Sequence, residues 1–133
     1  MIVLDASAVI ELLLNTKAGQ RVAEAITPPE VSLHAPHLLD VEVALALRRY
    51  VQARTISTDR AELALEHLGQ LGVTRHGHEE LLPRIWALRD NLTAYDAAYV
   101  VLAEALAAPL LTLDTRLAEA PGHQARVWMV GDG

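Results

Sequence analysis

The chain has 133 residues, with 11 Lys and Arg against 17 Asp and Glu and a formal net charge of −6. That length fits one domain, residues 1–133, whose core folds without disulfides or a structural metal, in keeping with the absence of cysteine. At 52% apolar and 21% charged residues the sequence is no disordered tail, and its acidity excludes a passive nucleic-acid coat, which is normally basic.

Ile2-Val3-Leu4 is a short β-rich run with no positive charge before it, and Asp5 and Glu11 interrupt the apolar stretch that follows. It therefore does not read as a signal peptide, and a cytoplasmic location is expected. Residues 8–14 read as a first helix and 18–26 as a second, stopped by Thr27-Pro28-Pro29. Val31-Ser32-Leu33 is expected to be a buried strand leading to Pro36. Helices are expected over 37–53 and 58–71, a third strand over 72–74, and a helix over 78–89 with Pro83 near its first turn. Thr93 opens a helix over 94–107, Pro109 closes it, and residues 110–113 form a strand after which Asp114 begins another helical turn. Residues 126–130 read as an edge strand after the Pro121-Gly122 turn. The most apolar region, 94–113, carries Asp96, Glu104 and Pro109, so no membrane span and no membrane partner is expected. Short strands alternating with helices imply a three-layer α/β/α architecture around a short central parallel sheet.

In an open parallel sheet, reactive groups collect at the carboxyl ends of the strands. Asp5 and Asp114 each follow an apolar strand directly. If those strands are neighbours, the two carboxylates project over one edge. Glu42 has Leu38, Leu39, Leu45 and Ala46 at helical spacing, and Asp96 has Tyr99, Val100 and Ala103. A buried ionised carboxylate costs several kcal/mol unless it is paired, protonated or metal-bound. Arg49, seven residues on, is one available partner for Glu42; a divalent ion held by several oxygens is another. Plainer roles stand beside these. Asp5 and Asp114 occupy N-cap positions, and Thr93-Ala94-Tyr95-Asp96 has the spacing of a capping box. Four carboxylates without cysteine favour Mg²⁺ or Mn²⁺ over Zn²⁺, and such ions act on phosphates.

Ile2 to Ala8, the helix carrying Glu42, the run Leu92-Thr93-Ala94-Tyr95-Asp96-Ala97-Ala98-Tyr99 through Glu104, and Pro109-Leu110-Leu111-Thr112-Leu113-Asp114 together resemble the PIN-domain family. In particular they are similar to the toxin ribonucleases of VapBC-type toxin–antitoxin pairs. The resemblance covers essentially the whole chain, although residues 55–89 match only in helical character. It implies a PIN-like nuclease domain and a metal-dependent endoribonuclease in which Asp5, Glu42, Asp96 and Asp114 bind Mg²⁺ or Mn²⁺. Ser7 and Thr112 would support them through their hydroxyls. It further implies an RNA substrate, a homodimer, and neutralisation by a small antitoxin lying across the active-site groove. Asp40 and Asp90 are nearby acids, and Asp40 lies on the side of its helix away from Glu42.

Ten of the eleven basic residues are Arg, and Arg116, two residues after Asp114, is the preferred phosphate contact. With 4% aromatics there is little material for base stacking. His34 and His37, and His76 and His78, invite a zinc reading, which the absence of cysteine and of a His-Glu-x-x-His helix disfavours. No Gly-x-Ser-x-Gly elbow or phosphate-binding Gly-rich loop is present. Two alternatives stay open: a phosphatase-like enzyme using Asp5 as phosphoacceptor, though Ser7 stands where a second aspartate is expected, and a catalytically silent acidic binding module.

Overall fold

The computed structural model describes residues 1–130. Its elements, in chain order, are β1 (Ile2–Leu4), α1 (Ala6–Leu13), α2 (Lys17–Ile26), β2 (Leu33–Pro36), α3 (Leu38–Gln52), α4 (Thr58–Gln70) and β3 (Val73–His76). A 3-10 turn (Glu79–Leu81) follows, then α5 (Leu82–Ala87), α6 (Ala94–Leu106), β4 (Leu110–Thr112), α7 (Thr115–Glu119) and β5 (Val127–Met129). The five strands form one parallel sheet in the order β3-β2-β1-β4-β5. This is the expected α/β architecture, a central parallel sheet between helices.

The strand order fixes where the helices lie. Parallel crossovers are right-handed, so the two steps outward from β1 to β2 and β2 to β3 put α1–α4 on one face. The steps from β3 back to β4 and on to β5 run the other way and put α5, α6 and α7 on the opposite face. The packing agrees: α1 contacts α2, α3 and α4, whereas α6 contacts α5 and lies on β1, β2 and β4. With both faces covered, Ile2, Val3, Leu4, Leu110 and Leu111 are at most 5% exposed, and the centre of the core sits on β1 and β4. The cover on the α6 side is Ala97 to Ala103, a continuous run of seven buried residues.

The helix starts follow cap chemistry. Asp5, Thr16, Ser57, Thr93 and Asp114 each accept a backbone N–H two or three residues on. Helix α1 therefore begins at Ala6, two residues before the sequence expectation, because Asp5 itself is the cap. Two strands shift C-terminally. β2 covers 33–36 instead of 31–33, because residues 28–31 close a turn in which the Val31 N–H bonds the Pro28 carbonyl. β3 covers 73–76 instead of 72–74, because Gly72 adopts φ +75° and belongs to the turn out of α4. The helix expected over 78–89 is broken into the 3-10 turn and α5, with Pro83 in the first turn of α5. Helices α1 and α2 approach so closely at Gly19 that a Cβ there would lie 2.0 Å from the Glu11 carbonyl oxygen.

Candidate active site

β1 and β4 are paired neighbours at the centre of the sheet, in register Val3↔Leu110 and Leu4↔Leu111. The chain leaves them for opposite faces, β1 to α1 and β4 to α7. Between them lies the switch point of the doubly wound sheet, where such folds are expected to bind their ligands. Asp5 and Asp114 are the residues that follow the two strands, so both stand at this point. α3 starts at the carboxyl edge of β2, and α6 starts at the same edge because it must run back to begin β4. Glu42 and Asp96, near the starts of these helices, thus come to the same side of the sheet.

Two hydroxyls tie the strand ends together. One oxygen of Asp5 accepts the Ala8 N–H at 3.0 Å and the Ser7 hydroxyl at 2.7 Å; the other accepts the Thr112 hydroxyl. Thr112 Oγ1 in turn accepts the Asp114 N–H at 2.9 Å, and Ser7 Oγ accepts the Leu113 N–H at 3.1 Å. Asp5 is 5% exposed. Burial pushes its pKa above the ordinary 3.8, the bonds from Thr112, Ala8 and Ser7 pull it back, and the charge of Asp114 raises it further; the net direction is up.

Asp114 is the counter-case. It caps α7 by accepting the Arg116 N–H at 3.0 Å, and the Arg116 guanidinium grips it at 2.6 Å. That guanidinium holds the Asp114 carboxyl below its usual range, against a smaller opposing effect of burial. The same guanidinium nitrogen stands 3.9 Å from Asp96. Thr93 provides the α6 cap by accepting the Asp96 N–H at 3.2 Å. Only half of the expected capping box forms, because the Asp96 carboxylate faces Arg116 and makes no bond back to Thr93 among the described residues.

Glu42 does not pair with Arg49. The two residues lie two helical turns apart, roughly 10 Å along the axis, and Arg49 points to solvent. The partner of Glu42 is Tyr99, whose hydroxyl donates to Glu42 Oε1 at 2.6 Å. Burial raises the Glu42 pKa, the Tyr99 bond lowers it, and Asp96 raises it again, with a net upward shift. Tyr99 itself is held firmly protonated by burial, by its bond to Glu42 and by the charges of Glu42, Asp5 and Asp96. In the sequence Tyr99 stands out only as a neighbour of Asp96 at helical spacing. The available signal was a tyrosine on a buried helix, whose hydroxyl must find a partner.

The four acids therefore lie in two like-charged pairs, Asp5 with Asp114 and Glu42 with Asp96, linked by Tyr99 on one side and Arg116 on the other. Asp40 lies outside this group, engaged by Arg75 of β3 through three bonds of 2.8–3.0 Å. The histidines pair differently from their sequence spacing: His34 Nδ1 and His76 Nε2 are 2.9 Å apart across β2 and β3. Among the described residues no three His, Asp or Glu side chains stand in an arrangement that could by itself hold a metal ion. The acidic groups are open, with a guanidinium beside one pair. Their donor chemistry nevertheless fits a hard divalent cation, since all are carboxylate oxygens and Arg116 reaches two of the four, Asp114 and Asp96.

The chain belongs to the PIN-domain family, whose profile matches residues 2–122. It is 45% identical to ribonuclease VapC1 of Mycobacterium tuberculosis over 96% of both chains. It is 42% identical to ribonuclease VapC9 of the same organism over 98% of both. In three dimensions it resembles PAE2754 from Pyrobaculum aerophilum, with a TM-score of 0.70 at 24% identity over 97% of this chain and 83% of that one. It also resembles Mycobacterium tuberculosis VapC20, described as a sarcin-ricin loop cleaving toxin, with a TM-score of 0.69 at 11% identity over 93% and 97%. These two structural likenesses concern the fold.

Proposed function

We propose that this protein is a divalent-metal-dependent endoribonuclease and the toxin of a toxin–antitoxin pair, acting on RNA in the cytoplasm until a small antitoxin covers its acidic crevice. The observation that carries the reading is the placement of Asp5, Glu42, Asp96 and Asp114 at one edge of the sheet, around its switch point, in a chain 45% identical to a ribonuclease over nearly its whole length. Asp5, Glu42, Asp96 and Asp114 would hold Mg²⁺ or Mn²⁺. Such an ion would supply charge neutralisation for the phosphodiester and lower the pKa of a water so that hydroxide is available for attack at neutral pH.

The chain's own residues prepare the site. Ser7 and Thr112 fix the Asp5 carboxylate in one orientation, so no rotamer freedom is lost when it is put to use. The upward pKa shifts at Asp5 and Glu42 come chiefly from burial, with a smaller contribution from a neighbouring carboxylate, and a bound cation would offset both. Arg116, 75% exposed on its side chain, is the group in this neighbourhood able to swing from Asp114 to a phosphate oxygen. Against the phosphoacceptor alternative, Ser7 stands where a second aspartate is expected, and its hydroxyl is committed to Asp5.

A homodimer would draw on α3, where Val41 and Leu45 remain 68% and 43% exposed, whereas Ala8, Val9, Ile10 and Leu13 of α1 are buried. No helix among the described residues is long and apolar enough to cross a membrane. The deciding experiment is RNA cleavage by the purified chain, which stops with EDTA and returns with Mn²⁺ or Mg²⁺. Asp96→Asn that cleaves at the wild-type rate, free of contaminating nuclease, overturns the proposal.

A further inference from the structure

The geometry points to Tyr99 as the positioning residue of the acidic site: its buried hydroxyl fixes Glu42 through Oε1 and leaves Oε2 as the one oxygen that Glu42 offers to a divalent cation. The inference rests on the metal-dependent reading above and assigns a role to a residue outside the acidic quartet.

Glu42 is the acid in greatest need of such a partner. Asp5 is fixed by three donors, Asp114 by its cap and by Arg116, and Asp96 sits in the first turn of α6, where the helix dipole favours its charge. Glu42 lies beyond the first turn of α3, and its side chain has more rotatable bonds than an aspartate. Tyr99 supplies its single hydrogen bond among the described residues. The ring of Tyr99 is itself only 2% exposed, clamped in the buried run Ala97 to Ala103. A rigid, buried donor converts a flexible glutamate into a pre-oriented one. Because a phenol is neutral, it does so without cancelling the negative charge that attracts the ion, as an arginine or lysine in its place would. The spacing also has a reason: Tyr99 is one helical turn from Asp96, so a single helix presents one acid and orients another.

Tyr99→Phe deletes the hydroxyl and keeps the ring, so the core packing is retained. Calorimetric titration of metal-free protein with Mn²⁺ is expected to show affinity reduced about 10- to 100-fold in Tyr99→Phe, the range typical of losing a group that orients a ligand. Cleavage by the variant should recover toward the wild-type maximal rate as Mn²⁺ is raised. In a Glu42→Gln background, Tyr99→Phe should cause no further loss of Mn²⁺ affinity, because the group it orients no longer carries charge. A purely structural tyrosine would instead weaken both backgrounds equally. Equal Mn²⁺ affinity in wild type and Tyr99→Phe overturns this inference alone. A wild-type chain that binds no Mn²⁺ overturns the metal reading and this inference with it.

Discussion

A carboxylate tied down by three hydrogen bonds is ordinarily a stabilising feature, yet Asp5 is shifted in the direction of a group that would rather be neutral. The consequence for stability has a definite sign. In the folded protein Asp5 keeps its proton to higher pH than in the unfolded chain, where its ordinary value is 3.8. Below that value both states are protonated and the contribution is full. As pH rises through the folded value the carboxylate must ionise in place, and the contribution is lost. Asp5→Asn can keep the network: its amide oxygen accepts from Ala8 and Ser7, and its NH₂ donates to Thr112. In metal-free buffer at pH 7 it should therefore melt above wild type, by roughly 2–4 °C for a change near 1 kcal/mol in a domain of this size. Its RNA cleavage should fall at least about 100-fold, the scale on which a disturbed metal site loses function. A thermal melt paired with a cleavage assay checks both. A variant that melts several degrees lower would show that the ionised carboxylate, through its bonds from Ala8, Ser7 and Thr112, stabilises the strand ends more than its burial costs.

At the level of elements, two contacts determine how the layers meet. Gly19 lets α2 lie against the Glu11 carbonyl of α1, and Gly19→Ala would force a Cβ to 2.0 Å from that backbone oxygen. Overpacking of this kind costs about 1–3 kcal/mol, because backbone cannot swing aside as a side chain can. Urea unfolding should show the midpoint falling with an unchanged slope. Arg75 on edge strand β3 grips Asp40 at the start of α3 and also donates to the Val73 carbonyl. Both side chains are partly open to water, so Arg75→Ala should cost only about 0.5–1 kcal/mol, read in the same assay. Legibility from sequence divides along similar lines. Element order and type were readable because cap residues and prolines punctuate the chain. Positions of β2 and β3 were misjudged by two residues or so because the turns before them, at Pro28–Val31 and Gly72, are set by backbone conformation that composition does not display. Asp5 and Asp114 could be placed from strand ends alone. The partner of Glu42 could not, since Tyr99 is 57 residues away and only packing joins them.

For the molecule as a whole, the sheet order explains why acids so distant in sequence converge, and it sets what a partner must do. Beyond Arg116, no cation contacts the quartet among the described residues, so an antitoxin that silences it is expected to present basic side chains to the crevice. Its complex with the chain should therefore weaken as ionic strength rises, which binding measured across a salt series checks. The final link in the crevice, the bond from Thr112 to Asp5, spans 107 residues, and β4 pairs with β1 only after every preceding crossover has been laid down. In the order of synthesis Asp5, Glu42 and Asp96 all precede Thr112 and Asp114. A nascent polypeptide short of β4 therefore holds three of the acids without the strand that brings the fourth beside Asp5.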